Sequence, residues 1–461
     1  LQKKLTSFDM AKTLTEKLCK NDWKYTLSRL FLTTPNHKRY YRHTHVIGKE
    51  NIPSEGPLIY AANHQNALMD AMAIVTTQKH QTIFVARADI FRKPFIIKIL
   101  HFMRILPIYR KLDGGKNQDN YDNNQETFEI VDHILRAGRV HGIMPEGRFN
   151  PYKRLAPLQK GIFRIALKAQ EFFGTEGGIK IVPIGISWQD RKEFFKDVTI
   201  VYGKPIPVAE FFPLYQESPA KAYLKMQEKL SAEISKLMID IRSETHYKTI
   251  ENIRETFGYE YTKATSRNPN NPKERLEAEQ NLVRKLDEFS EKNDPKIQTL
   301  EQTFPKYKEG LDKLKIRSWL LRKKKVAWYE FLKDWAILLL GFPIAVIGAI
   351  LGFLPLRLMR KYEKLIKDQQ FLSSTKYVVS MMVRSLQNLI LIIIACFVAP
   401  NFAMLGLMLA LIWFAERMML FYVEHYKRTV GKFRYCRRLT KKCHLLSELK
   451  EQREQMIAIF S

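Results

Sequence analysis

Residues 335–356, WAILLLGFPIAVIGAILGFLPL, run for 22 positions without a charge. As a helix, such a run is long enough to span the roughly 30 Å of a bilayer's hydrocarbon core. A second run, 386–415, reads LQNLILIIIACFVAPNFAMLGLMLALIWFA and is interrupted at Ala399-Pro400-Asn401. Its two halves, about 14 residues each, are short for a full crossing, so a re-entrant hairpin competes with a kinked span. Every flank is basic: RKKK at 322–325, the 357–384 loop with seven Lys/Arg, and 427–442. Because basic flanks stay cytoplasmic, each run is expected to return to the side it left, as a hairpin or as paired spans. Pro343 is placed to bend the first run as Pro400 bends the second. The competing reading is a buried helical core of a soluble domain, and the Lys/Arg density at each flank weighs against it.

Charge supports the same view. The chain carries 76 Lys/Arg against 47 Asp/Glu, a net +29. Residues 317–461 hold 24 of the former and 9 of the latter, so half the excess flanks the apolar runs. Such a balance calls for an anionic partner, and its placement favours a bilayer with anionic headgroups over nucleic acid. Cys19, Cys396, Cys436 and Cys443 have neither CxxC nor metal-ligand spacing, which fits unpaired thiols of a reducing compartment. The N-terminal residues show no signal-peptide pattern.

The remaining chain divides by composition. Residues 1–45 form a basic, aromatic segment in which NDWKYTLSRLFL can be an amphipathic helix, packed on the next domain or lying on a membrane surface. From 46 to 215, short β-rich runs alternate with helical stretches. The expected strands are 57–62, 82–87, 104–110, 139–145, 180–187 and 198–203, and the expected helices include 121–137 and 158–173. This pattern predicts an α/β domain, a mostly parallel sheet flanked by helices. Its near-continuous apolar strands fit burial on both faces. A charged helical region, 216–325, is broken at TSRNPNNP. Membrane-embedded helices follow over 326–425, then a basic tail, 426–461.

Polar residues with chemical potential collect where strands end. NHQNALMD, 63–70, puts His64 and Asp70 at a strand-to-helix junction. An imidazole can serve as a base near neutral pH, and a carboxylate on its other nitrogen fixes the tautomer and supports the imidazolium. Spacing alone leaves open a helix that merely opens with two polar residues. MPEGRFN, 144–150, ends a second strand with a tight turn carrying Glu146, Gly147 and Arg148. Ligands of parallel sheets bind outside the carboxyl ends of the strands, and an Arg there supplies a bidentate phosphate donor. In isolation, a surface turn with an Arg–Glu salt bridge is the preferred reading. Arg110 and Arg87 end two further expected strands and could share the rim, and VPIGIS, 182–187, reads as a core strand.

In order and type these four elements resemble the motifs of the glycerolipid acyltransferases, the bacterial 1-acylglycerol-3-phosphate and glycerol-3-phosphate acyltransferases. That family shows Asn-His-x4-Asp, a strand-borne Arg, Phe-Pro-Glu-Gly-x-Arg and Val-Pro-Ile/Val. VIGKENIPSE, 46–55, and LAPLQKGIFRIAL, 155–167, look like the segments flanking these motifs, and the resemblance covers about 46–210. It implies that His64 deprotonates an acceptor hydroxyl, which attacks an acyl thioester, and that Asp70 orients His64. Arg110, Glu146, Gly147 and Arg148 would form the acceptor site, with Arg87 at its rim. The resemblance also implies acyl-CoA or acyl carrier protein as donor, no metal, no other cofactor and no covalent acyl-enzyme. Glycerol-3-phosphate or dihydroxyacetone phosphate is the first expected acceptor, lysophosphatidate the second and a lyso-aminolipid the third. The different-class alternative is a catalytically inactive membrane scaffold. The catalytic domain is expected on the cytoplasmic side. Three positions depart from the pattern. Five residues rather than four separate His64 from Asp70, a feature of the fungal-type glycerol-3-phosphate/dihydroxyacetone-phosphate acyltransferases. Arg148 follows Gly147 directly, with Phe149 where the family commonly has Arg. Arg104 stands where Gly is often found.

Overall fold

The computed structural model describes residues 13–109, 117–366 and 368–460, with side chains described throughout except over 117–123. Arg110 lies outside the described residues. Two compact units emerge, 1–238 with 368–374, and 239–367 with 375–461.

The first unit is built on a mixed, mostly parallel sheet of eight strands: β1 Thr44–Ile47, β2 Leu58–Ala62, β3 Ile83–Arg87, β4 Ile105–Ile108, β5 Val140–Ile143, β6 Lys180–Trp188, β7 Val198–Tyr202 and β8 Ile206–Pro207. Their order is β1-β7-β6-β2-β5-β3-β4, with β8 beside β6. All neighbours are parallel except β7 and β8 against β6. The α/β expectation holds. The six expected strands are present, five of them shortened at their ends and β6 one residue longer, while β1 and the two-residue β8 escaped the sequence reading. THVI is half exposed on the sheet edge, so it lacks the apolar run that marked the inner strands.

β2 sits at the sheet centre with all five residues buried. Its neighbours on both sides run parallel to it, so β2, β5 and the first half of β6 deliver their carboxyl ends to one edge. Four helices concern that edge and its support: α1 Leu68–Thr77, α2 Pro94–Phe102, α3 Asn117–Arg136 and α4 Gly161–Gln170. Ile59 and Ala61 of β2 share a core with Val131, Ile134 and Leu135 of α3 and with Phe163 and Ala166 of α4. Residues 23–40 form a helical stretch with one π turn at Arg29–Thr33. Arg29 Nη1 donates to the carbonyls of Gln78 and Lys79 just past the end of α1, where unpaired carbonyls favour a cation. This stretch exposes Trp23 (67%) and Phe31 (76%), and α2 exposes Phe95 (70%).

The second unit is helical. Apart from the long apolar helices, it packs α6 Tyr247–Ala264, α7 Pro272–Glu291, α8 Pro295–Leu314 and α12 His444–Phe460 around Phe257, Leu282, Tyr307 and Phe460, while α5 Pro219–Leu237 belongs to the first unit. The two apolar runs fall on three long helices, α9 Trp328–Leu365, α10 Leu372–Val398 and α11 Phe402–Thr440, each apolar and long enough to cross a membrane. Pro343 does not break the first run: α9 is continuous through it, so the hairpin expected within 335–356 is not formed. The interruption at 399–401 does separate two helices, Asn401 capping α11 by accepting the Met404 N–H at 2.9 Å. Each half of the second run continues into a longer helix, because its amphipathic flanks extend the periodicity beyond the apolar stretch. For the same reason residues 426–440 continue α11 rather than opening a tail. α9 and α11 pack closely: a side chain at Gly348 would meet the Ala415 carbonyl oxygen at 2.1 Å, so only glycine permits this approach.

Candidate active site

His64 leaves β2 at the carboxyl edge of the sheet. Before it, Asn63 is fully buried and bonds Ile186 of β6 in both directions, accepting from its N–H at 2.7 Å and donating to its carbonyl at 3.0 Å. The exit of β2 is thereby tied to its neighbour. After it, Asn66-Ala67-Leu68-Met69 makes a tight turn closed by the Met69 N–H on the Asn66 carbonyl at 2.8 Å. Ala67 sits at φ 44°, ψ −124°, near the conformation of the first central residue of a type II′ turn, where glycine is preferred. This turn at positive φ lies within the five-residue gap between His64 and Asp70, and α1 starts only at Leu68.

Asp70 thus lies in the first turn of α1, where the helix dipole favours a carboxylate. It is completely buried. Its Oδ2 accepts from His64 Nδ1 at 3.0 Å and from the Asn66 backbone N–H at 2.7 Å, and Oδ1 accepts from Trp188 Nε1 at 2.9 Å. Three donors around an ionised carboxylate satisfy it without water. An acceptor-only carboxylate requires Nδ1 of His64 to carry a proton, which leaves the Nε2 lone pair available. Nε2 has no hydrogen-bond partner among the described residues, and the His64 side chain is 20% exposed.

The MPEGRFN turn ends β5, the strand beside β2. Glu146 is buried and accepts the His64 backbone N–H through Oε1 at 2.7 Å and the Ala156 N–H through Oε2 at 3.0 Å. Asn150 N–H in turn donates to the His64 carbonyl at 2.9 Å. The histidine backbone is therefore clamped by this turn from both sides. Burial pushes the Glu146 carboxyl up to about 7, against the pull of those backbone donors and of His64. Gly147 adopts φ 67°, and a side chain there would meet Gln159 at 2.9 Å, so glycine suits this turn on both counts. Arg148 is exposed. Beside it, the Arg191 guanidinium lies over the Phe149 ring, 5.0 Å from its centroid, while the Arg191 carbonyl accepts from Asn66 Nδ2 at 3.3 Å. A guanidinium therefore stands next to the position where the resembled family carries its second arginine.

The structure brings together His64, Asp70, Glu146, Gly147 and Arg148 on one edge. Glu146 acts on the His64 backbone rather than pairing with Arg148. Arg87 ends β3 on this edge and pairs with Asp89 two residues on. Arg104 is structural: buried, at the amino end of β4, it donates to the carbonyls of Leu18 and Lys20 at 2.9 and 2.7 Å. Sequence reasoning missed Asn63, Trp188 and Arg191. Trp188 follows VPIGIS by one residue, and its position at the end of a strand parallel to β2 was the available signal.

Residues 43–187 match the family model described as Acyltransferase. Over 111 residues the chain is 32% identical to glycerol-3-phosphate O-acyltransferase 2 of Saccharomyces cerevisiae, covering 24% of this chain and 15% of that protein. Over 153 residues it is 27% identical to 1-acyl-sn-glycerol-3-phosphate acyltransferase of Borreliella burgdorferi, covering 33% of this chain and 54% of that protein. The chain thus spans only part of the curated relatives' lengths. Among solved structures, the LPA acyltransferase PlsC of Thermotoga maritima aligns with 47% of this chain and 83% of its own, at 18% identity and a TM-score of 0.33. The family match begins one residue before β1 and ends within β6, so the matched stretch encloses the clamped His64, its buried Asp70 and the Glu146 turn.

Proposed function

We propose that the chain is a membrane-embedded O-acyltransferase that moves a fatty acyl group from a thioester to a hydroxyl of a glycerophosphate-type acceptor. The observation that carries this reading is the His64–Asp70 contact at 3.0 Å, with Asp70 held by two further donors. His64 Nε2 takes the hydroxyl proton as the oxygen attacks the thioester carbonyl, and Asp70 stabilises the imidazolium so formed. When the tetrahedral adduct collapses, the C–S bond breaks and the thiolate recovers the proton from His64. No step requires a covalent acyl-enzyme. Arg148 and Arg191 supply cationic donors for the acceptor phosphate. Glycerol-3-phosphate or dihydroxyacetone phosphate is the first acceptor on this reading and lysophosphatidate the second; glycerol-3-phosphate and 1-acylglycerol-3-phosphate are the acceptors in the names of the two relatives. The donor is acyl-CoA or acyl carrier protein. The three apolar helices support a bilayer location, and their basic flanks support anionic headgroups as partners and a cytoplasmic catalytic domain.

The test offers glycerol-3-phosphate, dihydroxyacetone phosphate, lysophosphatidate and a lyso-aminolipid in parallel to the purified chain with acyl-CoA, and separately with acyl carrier protein. Acylation of a glycerophosphate, abolished by His64→Ala, is expected. Acylation of the lyso-aminolipid alone would overturn the acceptor assignment, and unchanged transfer by His64→Ala would overturn the mechanism.

A further inference from the structure

A surface cavity of about 280 Å³ opens in the second unit between the 315–320 segment and α11, far along the sequence from the acyltransferase motifs. Five cations line it: Lys315, Arg317, Lys427, Arg428 and Arg434. Among the described residues no carboxylate lines it, and of the five cations only Arg428 is ion-paired, with Glu424 at 2.9 Å. Lys315, Arg317 and Lys427 pair with no carboxylate among the described residues. Arg434 Nη1 donates to the Lys315 carbonyl at 3.4 Å, tying the two walls together. Trp319 and Tyr426 complete the rim. Assembling these like charges is unfavourable unless an anion joins them.

The depth of this cavity relative to the apolar runs follows from α9. Asp334 is the last charged residue before the uncharged 335–356 run, and it pairs across to α11 with Lys432 at 2.7 Å and His425 at 3.4 Å. Residues 425–432 of α11 therefore lie level with the end of the apolar stretch, and the cavity's α11 wall occupies that same level. Aromatic residues and cations at such a level mark the headgroup region of a bilayer.

We propose that this cavity binds one phosphate-bearing anion per chain. The inference is independent of the acyl-transfer reading, since it uses no residue of the acyltransferase domain. The cations recognise the phosphate, whether it belongs to a lipid headgroup or to a soluble molecule, and the arms of the experiment separate these sources.

The full chain, purified in neutral detergent, is titrated with dioleoylphosphatidate or dioleoylphosphatidylcholine, and native mass spectrometry counts lipids retained. One phosphatidate per chain is expected, with phosphatidylcholine not retained. Arg317→Gln/Lys427→Gln removes two exposed cations and is expected to weaken phosphatidate binding about thirtyfold. Its melting temperature and acyl-transfer rate should stay at the unsubstituted values, which reports on folding and on the active site separately. In the second arm, inorganic phosphate and coenzyme A are titrated without lipid. Binding there, lost in the double variant, assigns a soluble source, whereas binding of phosphatidate alone assigns the headgroup. Equal affinity of the double variant, or equal retention of phosphatidylcholine, overturns the proposal.

Discussion

Asp70→Asn is isosteric and tests what the buried carboxylate contributes to His64. The carboxylate accepts three N–H bonds, from His64 Nδ1, Asn66 and Trp188. An amide has one acceptor oxygen and one donor group, so it cannot serve both sides. With its oxygen toward His64 and Asn66, its NH2 group faces the Trp188 N–H. With its NH2 group toward His64, Nδ1 must become the acceptor, the proton moves to Nε2, and the base is lost. In the first orientation one buried donor goes unpaired, costing about 1–3 kcal/mol of stability. In the second the tautomer is wrong, for which the general precedent in a His–Asp pair is a loss of about 10⁴ in kcat. We expect kcat to fall by roughly 10²–10⁴ with the acceptor KM changed little. The assay follows thiol release from acyl-CoA with a glycerophosphate acceptor, beside thermal melting of the same preparation. A variant that melts normally and turns over within about threefold of the unsubstituted enzyme would refute the pairing of His64 with Asp70.

Three further outcomes are expected. Ala67→Gly relieves a left-handed turn residue; set against the entropy glycine adds to the unfolded chain, the net gain is about 1 kcal/mol, read as a rise of roughly 2–4 °C in the melting of the first unit. A fall in melting temperature would show that Ala67 is not strained. Glu146, pushed up to about 7, binds a proton more tightly folded than unfolded. Its contribution is therefore fully present below about pH 4.5 and is lost as pH rises through 7, and denaturant unfolding should show this slope flattened in Glu146→Gln. Arg191→Ala should raise the KM for a phosphorylated acceptor roughly ten- to a hundredfold with kcat little changed, and an unaltered KM would remove Arg191 from the acceptor site.

The site was legible where chemistry and local pattern coincide. His64, Asp70 and the MPEGRFN turn each end an apolar run or open a helix, so their places on the sheet edge follow from strand pattern and turn chemistry. Trp188 and Asn63 were not legible, because their roles consist of bonds reaching across more than a hundred residues to Asp70 and Ile186. The role of Arg104, which stands where Gly is often found, was not legible for a related reason: only the carbonyls of Leu18 and Lys20 show what it satisfies at the amino end of β4. The 335–356 run was legible as apolar, but its proline did not disclose whether the helix would break.

The sequence by itself determined that this chain pairs an α/β domain with apolar helices, because hydrophobic periodicity and uncharged length are local properties that burial must answer. It also determined where the polar residues with chemical potential stand along the chain. Tertiary structure alone decided that His64 is clamped through its backbone by Glu146 and Asn150, and that Asp70 is saturated by three donors. It alone also decided that the five-residue His–Asp gap is bridged through a positive-φ turn at Ala67. Those outcomes depend on which strands lie side by side, and strand order is set by long-range packing rather than by any local stretch of residues.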